Sequence, residues 1–154
     1  MSDQSLRDRI DVIDVCRRMA WYMDEHSWPA LQNLFTDKVI LDYTSLSGGE
    51  PSSVSREELI ETWRRSLSGY DAVQHLVSNE TVELDGDRAK AAAMFIATHL
   101  LPNPHGGPLW TVGGEYRYRL LRTGSGWRIT ELAMRIAWSD GNRHIRDLAQ
   151  AASA

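Results

Sequence analysis

The chain has 154 residues, enough for one domain to bury about two-thirds of its unfolded surface without disulfides or metal ions. Apolar residues make up 42% and charged residues 25%, which excludes a disordered or fibrous chain. A net charge of −4, with Lys38 and Lys90 the only lysines, excludes the clustered basic footprint of a nucleic-acid binder.

In chain order, Leu6, Ile10, Ile13, Cys16, Ala20 and Met23 recur at spacings of three and four, which predicts one amphipathic helix over residues 5 to 25 or so. At the helical repeat, Asp24 points close to the directions of Leu6 and Ile13, so a carboxylate closes the apolar stripe. Ser27, Trp28 and Pro29 open a second short helix through Phe35, with proline in the first turn, where its missing donor does no harm. Lys38 to Tyr43 alternates as a strand, with Val39, Leu41 and Tyr43 on one face, and TSLSGGEPSSV follows as a loop. Ser55 and Glu58 form a capping box for a third helix with Leu59, Ile60, Trp63 and Leu67 on its apolar face. From Asp71 the pattern is β. Asp85, Gly86 and Asp87 divide residues 72–101 into two strands, Pro102 to Pro108 precedes a strand Leu109 to Arg122, and Thr123 to Gly126 turns into a last strand, Trp127 to Trp138.

Residues 141–154 read as a polar, alanine-rich tail without a burial pattern, which leaves one domain over residues 1–140. Helices that segregate from a run of antiparallel strands predict an α+β domain: a cone-shaped, curled, antiparallel or mixed sheet around the long N-terminal helix, with two further helices, enclosing a pocket. Six Trp and five Tyr against two Phe suit such a pocket, since these aromatics pack and still hydrogen-bond. Cys16 can form no disulfide within the chain and reads as a small buried hydrophobe. No apolar run approaches the roughly 20 residues that span a bilayer, and the N-terminus lacks the apolar core of a signal peptide, so no membrane partner and a cytoplasmic protein are expected. His26, His75, His99, His105 and His144 show no metal-ligand spacing, and the glycine pairs lack a phosphate-binding fingerprint, so neither metal nor nucleotide cofactor is expected.

In an apolar cone, inward polar residues carry the chemical information. Asp24 and His75 can form an acid/base pair in which the carboxylate fixes the imidazole tautomer; alternatively, Asp24 is a solvated helix end and His75 a core histidine bonded to backbone. Tyr22 and Tyr43 can donate to charge developing on a substrate oxygen, or can simply pack. His99 shares a strand face with Phe95 and Ala97, as a pocket residue or a satisfied core histidine, and Arg135 a row with Ala133 and Ala137, where an inward guanidinium needs an anionic substrate group or an acid such as Glu115, the alternative being an exposed arginine at a strand end. Asn79 and Trp110 are candidate wall residues.

The stretches YMD (22–24), WPALQNLFTD (28–37), QHLVSN (74–79), ELDGD (83–87), GGEY (113–116) and GWRI (126–129), in this order, resemble the SnoaL-like domains of the nuclear-transport-factor-like superfamily. That group includes scytalone dehydratase, a bile acid dehydratase, hexachlorocyclohexane dehydrochlorinase and polyketide cyclases. The resemblance implies a catalytic dyad on Asp24 and His75 and substrate contacts from Tyr22, Tyr43 and His99. It departs from the dehydrochlorinase pattern at Arg17 and Arg18, where a lysine is expected. The function implied is a cofactor-independent lyase or isomerase, foremost a dehydratase, acting on a hydrophobic polycyclic or polyketide-like carbonyl compound. A cyclase or ketone isomerase, or a non-catalytic ligand-binding domain, are the alternatives. The group tends to self-associate through the exposed sheet face, which implies a homodimer or homotrimer.

Overall fold

The computed structural model describes residues 2–153. Helix α1 spans Asp3–Asp24 and is capped by Ser2, whose side chain accepts from the Ser5 amide at 3.1 Å. It buries Val12, Val15, Cys16, Met19, Ala20 and Met23, while Leu6 and Ile10 are exposed. The expected stripe is therefore corrected in its first half, where the helix is rotated so that Asp8 lies inside. Asp8 can be buried because the Arg122 guanidinium grips it bidentately, at 2.7 and 2.6 Å, and stacks on the Trp127 ring 4.6 Å from its centroid. That hydrogen bonding holds the Asp8 carboxyl down at about 2.

Helix α2 is Trp28–Gln32, and strand β1, Phe35–Asp42, begins at the residue expected to end that helix. The stretch read as a loop contains a short helix, α3 (Thr44–Ser47), and an edge strand, β2 (Ser52–Ser55). Helix α4, Arg56–Leu67, starts with the expected Ser55/Glu58 capping box. Four long strands follow: β3 (Ala72–Asp85), β4 (Arg88–Leu100), β5 (Leu109–Thr123) and β6 (Gly126–Gly141). The sheet is mixed, with order β2-β1-β6-β5-β4-β3 and β1 parallel to β6, and it is curled but not closed. The core fills the space between its concave face, α1 and α4.

Two irregularities re-aim the strands. In β3, Asn79 has a left-handed backbone (φ 57°) at a register shift between Ser78 and Thr81, so the inward row passes from Val73, His75 and Val77 to Glu80, Val82 and Leu84. In β6, a shift opposite Arg119 and Leu120 moves the inward row from Trp127 and Ile129 to Leu132 and Met134. Residues 145–152 are not a featureless tail: α5 (Ile145–Ala152) buries Ile145 and Ala149 completely and packs against α4. Its approach is so close that a β-carbon on Gly69 would fall 2.0 Å from the Ala149 carbonyl oxygen. Among the described residues, no helix is long and apolar enough to cross a membrane.

Candidate active site

Helix α1 ends at Asp24 just where β3 begins to pair, and the two meet through one carboxylate. Asp24 Oδ1 lies 2.6 Å from His75 Nδ1, and Asp24 Oδ2 accepts the His75 backbone amide at 2.7 Å. A carboxylate that close requires the proton on Nδ1, which leaves Nε2 as the ring nitrogen with a free lone pair. The His75 side chain is 7% exposed and that of Asp24 20%. Asp24 thus holds the histidine from behind, while His75 itself forms part of a cavity wall.

The cavity has a volume of about 300 Å³. Met23 of α1, Leu41 of β1 and Phe95, Val112 and Met134 of the sheet make it apolar. Into that apolar space come His75, His99, Tyr43, Tyr70 and Tyr116. Ser47, Thr62 and Gln150, the exposed lining residues on α3, α4 and α5, mark its mouth.

Burial raises the Tyr43 and Tyr116 phenols well above the ordinary tyrosine value, so both are neutral donors at any physiological pH. The charge of Asp24 adds to the effect at Tyr116 and that of Tyr116 to the effect at Tyr43, and both tyrosines line the same cavity as His75. His99 is 8% exposed. Its Nδ1 donates to the Trp110 carbonyl at 3.2 Å, its ring packs 4.9 Å from those of Tyr70 and Trp110, and burial followed by the nearby His75 lowers it to about 4. It is therefore a neutral imidazole at pH 7. The His75 and His99 rings meet edge to face with centroids 6.5 Å apart.

The structure thus brings together His75, Tyr43, His99 and Trp110, with Asp24 behind. It separates three other candidates from them. Tyr22 lies outside the lining, its hydroxyl accepting from Arg18 Nη1 at 3.4 Å. Arg135 is on the outer face of the sheet, 3.9 Å from Glu115, because the β6 shift reversed the row. Asn79 is exposed at the β3 irregularity, where its tolerance of the left-handed region fits it for bending the strand. Trp110 Nε1 is buried without a hydrogen-bond partner among the described residues.

Tyr116, Tyr70 and Arg146 are among the lining residues that were not singled out from the sequence. Tyr116 was within reach, since it continues the inward row of Trp110 and Val112 on β5. Tyr70 precedes β3, outside any strand alternation. Arg146 lies on α5, which gave no burial signal.

A long N-terminal helix cradled by a curled sheet, with a carboxylate-bound histidine on the wall of a small apolar cavity, defines a cone-shaped α+β class of domain. The chain belongs to the SnoaL-like domain family, whose model matches residues 4–133, within the nuclear-transport-factor-like superfamily. Solved structures bear out the fold. A Kribbella flavida protein superposes with a TM-score of 0.86 at 27% identity, covering 95% of this chain and 99% of that one. A Novosphingobium aromaticivorans protein provisionally assigned as a scytalone dehydratase gives 0.79 at 14% identity, covering 93% of each chain. A hexachlorocyclohexane dehydrochlorinase, type 2, gives 0.77 at 14% identity, covering 92% of this chain and 93% of that one.

Proposed function

We propose that the protein is a cofactor-independent lyase that dehydrates a small hydrophobic β-hydroxy carbonyl compound. The observation that carries this reading is the Asp24–His75 pair on the cavity wall, with Nδ1 bound at 2.6 Å and Nε2 left as a base. Nε2 takes the proton next to the carbonyl. Asp24 stabilises the imidazolium that forms, and the neutral phenols of Tyr43 and Tyr116 donate to the enolate oxygen. The imidazolium then returns the proton to the β-hydroxyl, which departs as water as the enolate collapses to the enone. No net proton or electron is exchanged, so the cycle needs no cofactor. A cavity near the bottom of the roughly 300–1,000 Å³ range of ligand pockets favours one or two rings over a large polycycle.

The test is turnover of a panel of one- and two-ring β-hydroxy ketones, followed by enone absorbance, with His75→Gln and Asp24→Asn alongside the wild type. The expected loss in kcat is about 10²–10⁴ for His75→Gln. Undiminished turnover in that variant refutes the base assignment. Independently of any substrate, the ¹⁵N spectrum of His75 should report the Nδ1–H tautomer, lost in Asp24→Ala.

We also infer that a second copy of the chain covers the outer sheet face. Leu76, Ile96 and Trp138 are exposed in one register row, with the Trp138 indole across Gly113 and with exposed Met94 beside them. The pairs Arg117–Glu115 and Arg119–Glu131 flank that patch with both signs interspersed, which suits self-complementary packing about a two-fold axis.

A further inference from the structure

We propose that Arg146 reads a carboxylate on the substrate, so that the cavity takes a small ring carbonyl compound bearing an acid group at the end opposite its reactive carbonyl. The proposal deepens the lyase reading and rests on it for the position of that carbonyl.

Arg146 is half-buried on α5 and is the sole cation among the described residues that line the cavity. Arg17 pairs with Glu80 at 2.6 Å, Arg18 with Asp14 at 2.6 Å, and Arg64 and Arg65 with Glu61 at 2.8 Å, whereas the arginines that pair with no acid among the described residues, Arg7, Arg9, Arg88, Arg128 and Arg143, all lie away from this cavity. Arg146 forms no such pair among the described residues, and its Nη2 makes one long contact, 3.4 Å, with Ser47 Oγ. The adjacent Asp147 faces His144 instead, at 3.7 Å. The Arg146 charge nevertheless reaches the interior: it opposes protonation of His99 and offsets part of the burial that raises Tyr70 to about 12.

The polar groups of the lining are divided. His75, His99 and Tyr116 stand on the strands, whereas Arg146, Gln150, Ser47 and Ser66 stand on the helices at the mouth. A guanidinium beside hydroxyls and an amide is a recognition set for a planar anion, and one cation without a second favours a monoanion over a phosphate dianion. An acid held at the mouth would fix the opposite end of a short ligand against the base. It would also replace the long Ser47 contact with a charge-assisted bond, tying α5 to the ligand.

The experiment compares binding of 2-naphthoate with that of its neutral isostere 2-naphthamide, by calorimetry, to the wild type, Arg146→Gln, Arg146→Lys and His75→Gln. The acid should bind the wild type about tenfold or more tightly than the amide. Arg146→Gln should abolish that preference by weakening the acid alone, and Arg146→Lys should keep part of it. The preference should survive in His75→Gln, because no proton transfer is involved. Equal binding of the two ligands to the wild type, or a preference that persists in Arg146→Gln, overturns the proposal and leaves the dyad untouched. Loss of the preference in His75→Gln instead would assign the anion to the wrong end of the cavity. An intact acid preference together with no turnover of the β-hydroxy ketone panel by the wild type would refute the lyase reading alone. Binding of neither ligand to the wild type overturns the proposal and the ligand-binding cavity together.

Discussion

The buried imidazole of His99 makes folding stability depend on pH in a way that can be worked from its surroundings. With Nδ1 donating to the Trp110 carbonyl and aromatic rings on two sides, protonation must wait until about pH 4, whereas the unfolded chain takes the proton at the ordinary value of 6.5. Between those values the unfolded state binds more protons than the folded one, so stability falls as pH falls. The loss begins near pH 6.5 and levels off below about pH 4, once both states are protonated. At roughly 1.36 kcal/mol per pH unit, the gap corresponds to about 3 kcal/mol. Urea unfolding of the wild type and of His99→Phe, repeated from pH 7.5 to pH 4, isolates this contribution as the difference in slope between the two curves. A uniform change in stability from the altered side chain cancels in that difference. Parallel curves refute the reasoning, as does an NMR titration in which His99 gains its proton near pH 6.5.

Three further outcomes follow from the same geometry. Tyr43→Phe and Tyr116→Phe should each lower kcat on the substrate found in the panel by about 10- to 100-fold with little change in KM, because a phenol that donates to developing charge acts in the transition state; a pure KM effect would reduce both to packing residues. Arg122→Met should lower the Tm by roughly several degrees, since it leaves Asp8 buried without its partner. With the Asp8 carboxyl held at about 2, the stability it contributes is complete above the ordinary aspartate value and is lost only as pH falls through about 2, so the wild type and Arg122→Met should converge in strong acid. Trp138→Glu should convert a self-associated protein to monomers in sedimentation experiments without altering the far-UV spectrum; an unchanged mass would show that the outer face is not the contact.

The sequence made the architecture legible because its strong signals were local: the Ser55/Glu58 box, the Asp85-Gly86-Asp87 break and the Thr123 to Gly126 turn all form as expected. Asp24 and His75 were legible by type and resemblance, although the stripe that led to Asp24 ran partly through Leu6, which is exposed. Asn79 and Arg135 were misplaced for one shared reason. A period-two reading holds only until an extra residue enters a strand, and each of these lies at or beyond such a point, so its row faces the other way. The burial of Asp8 depends on Arg122, more than a hundred residues away, and no window-based pattern contains both. Arg146 was hidden because α5 is short and its burial is confined to Ile145 and Ala149.

The Asp24 carboxylate grips a main-chain amide as well as a ring nitrogen, and this makes the pair an alignment gauge. If β3 slid by one residue against α1, the amide would be lost together with the imidazole, so a misregistered strand could not retain the Asp24–His75 pair. Strand register and the placement of the imidazole are thereby coupled at a single oxygen pair. In directed evolution, stabilised variants selected only for a correctly docked β3 should enrich for an intact Asp24–His75 pair even when no turnover is demanded of them.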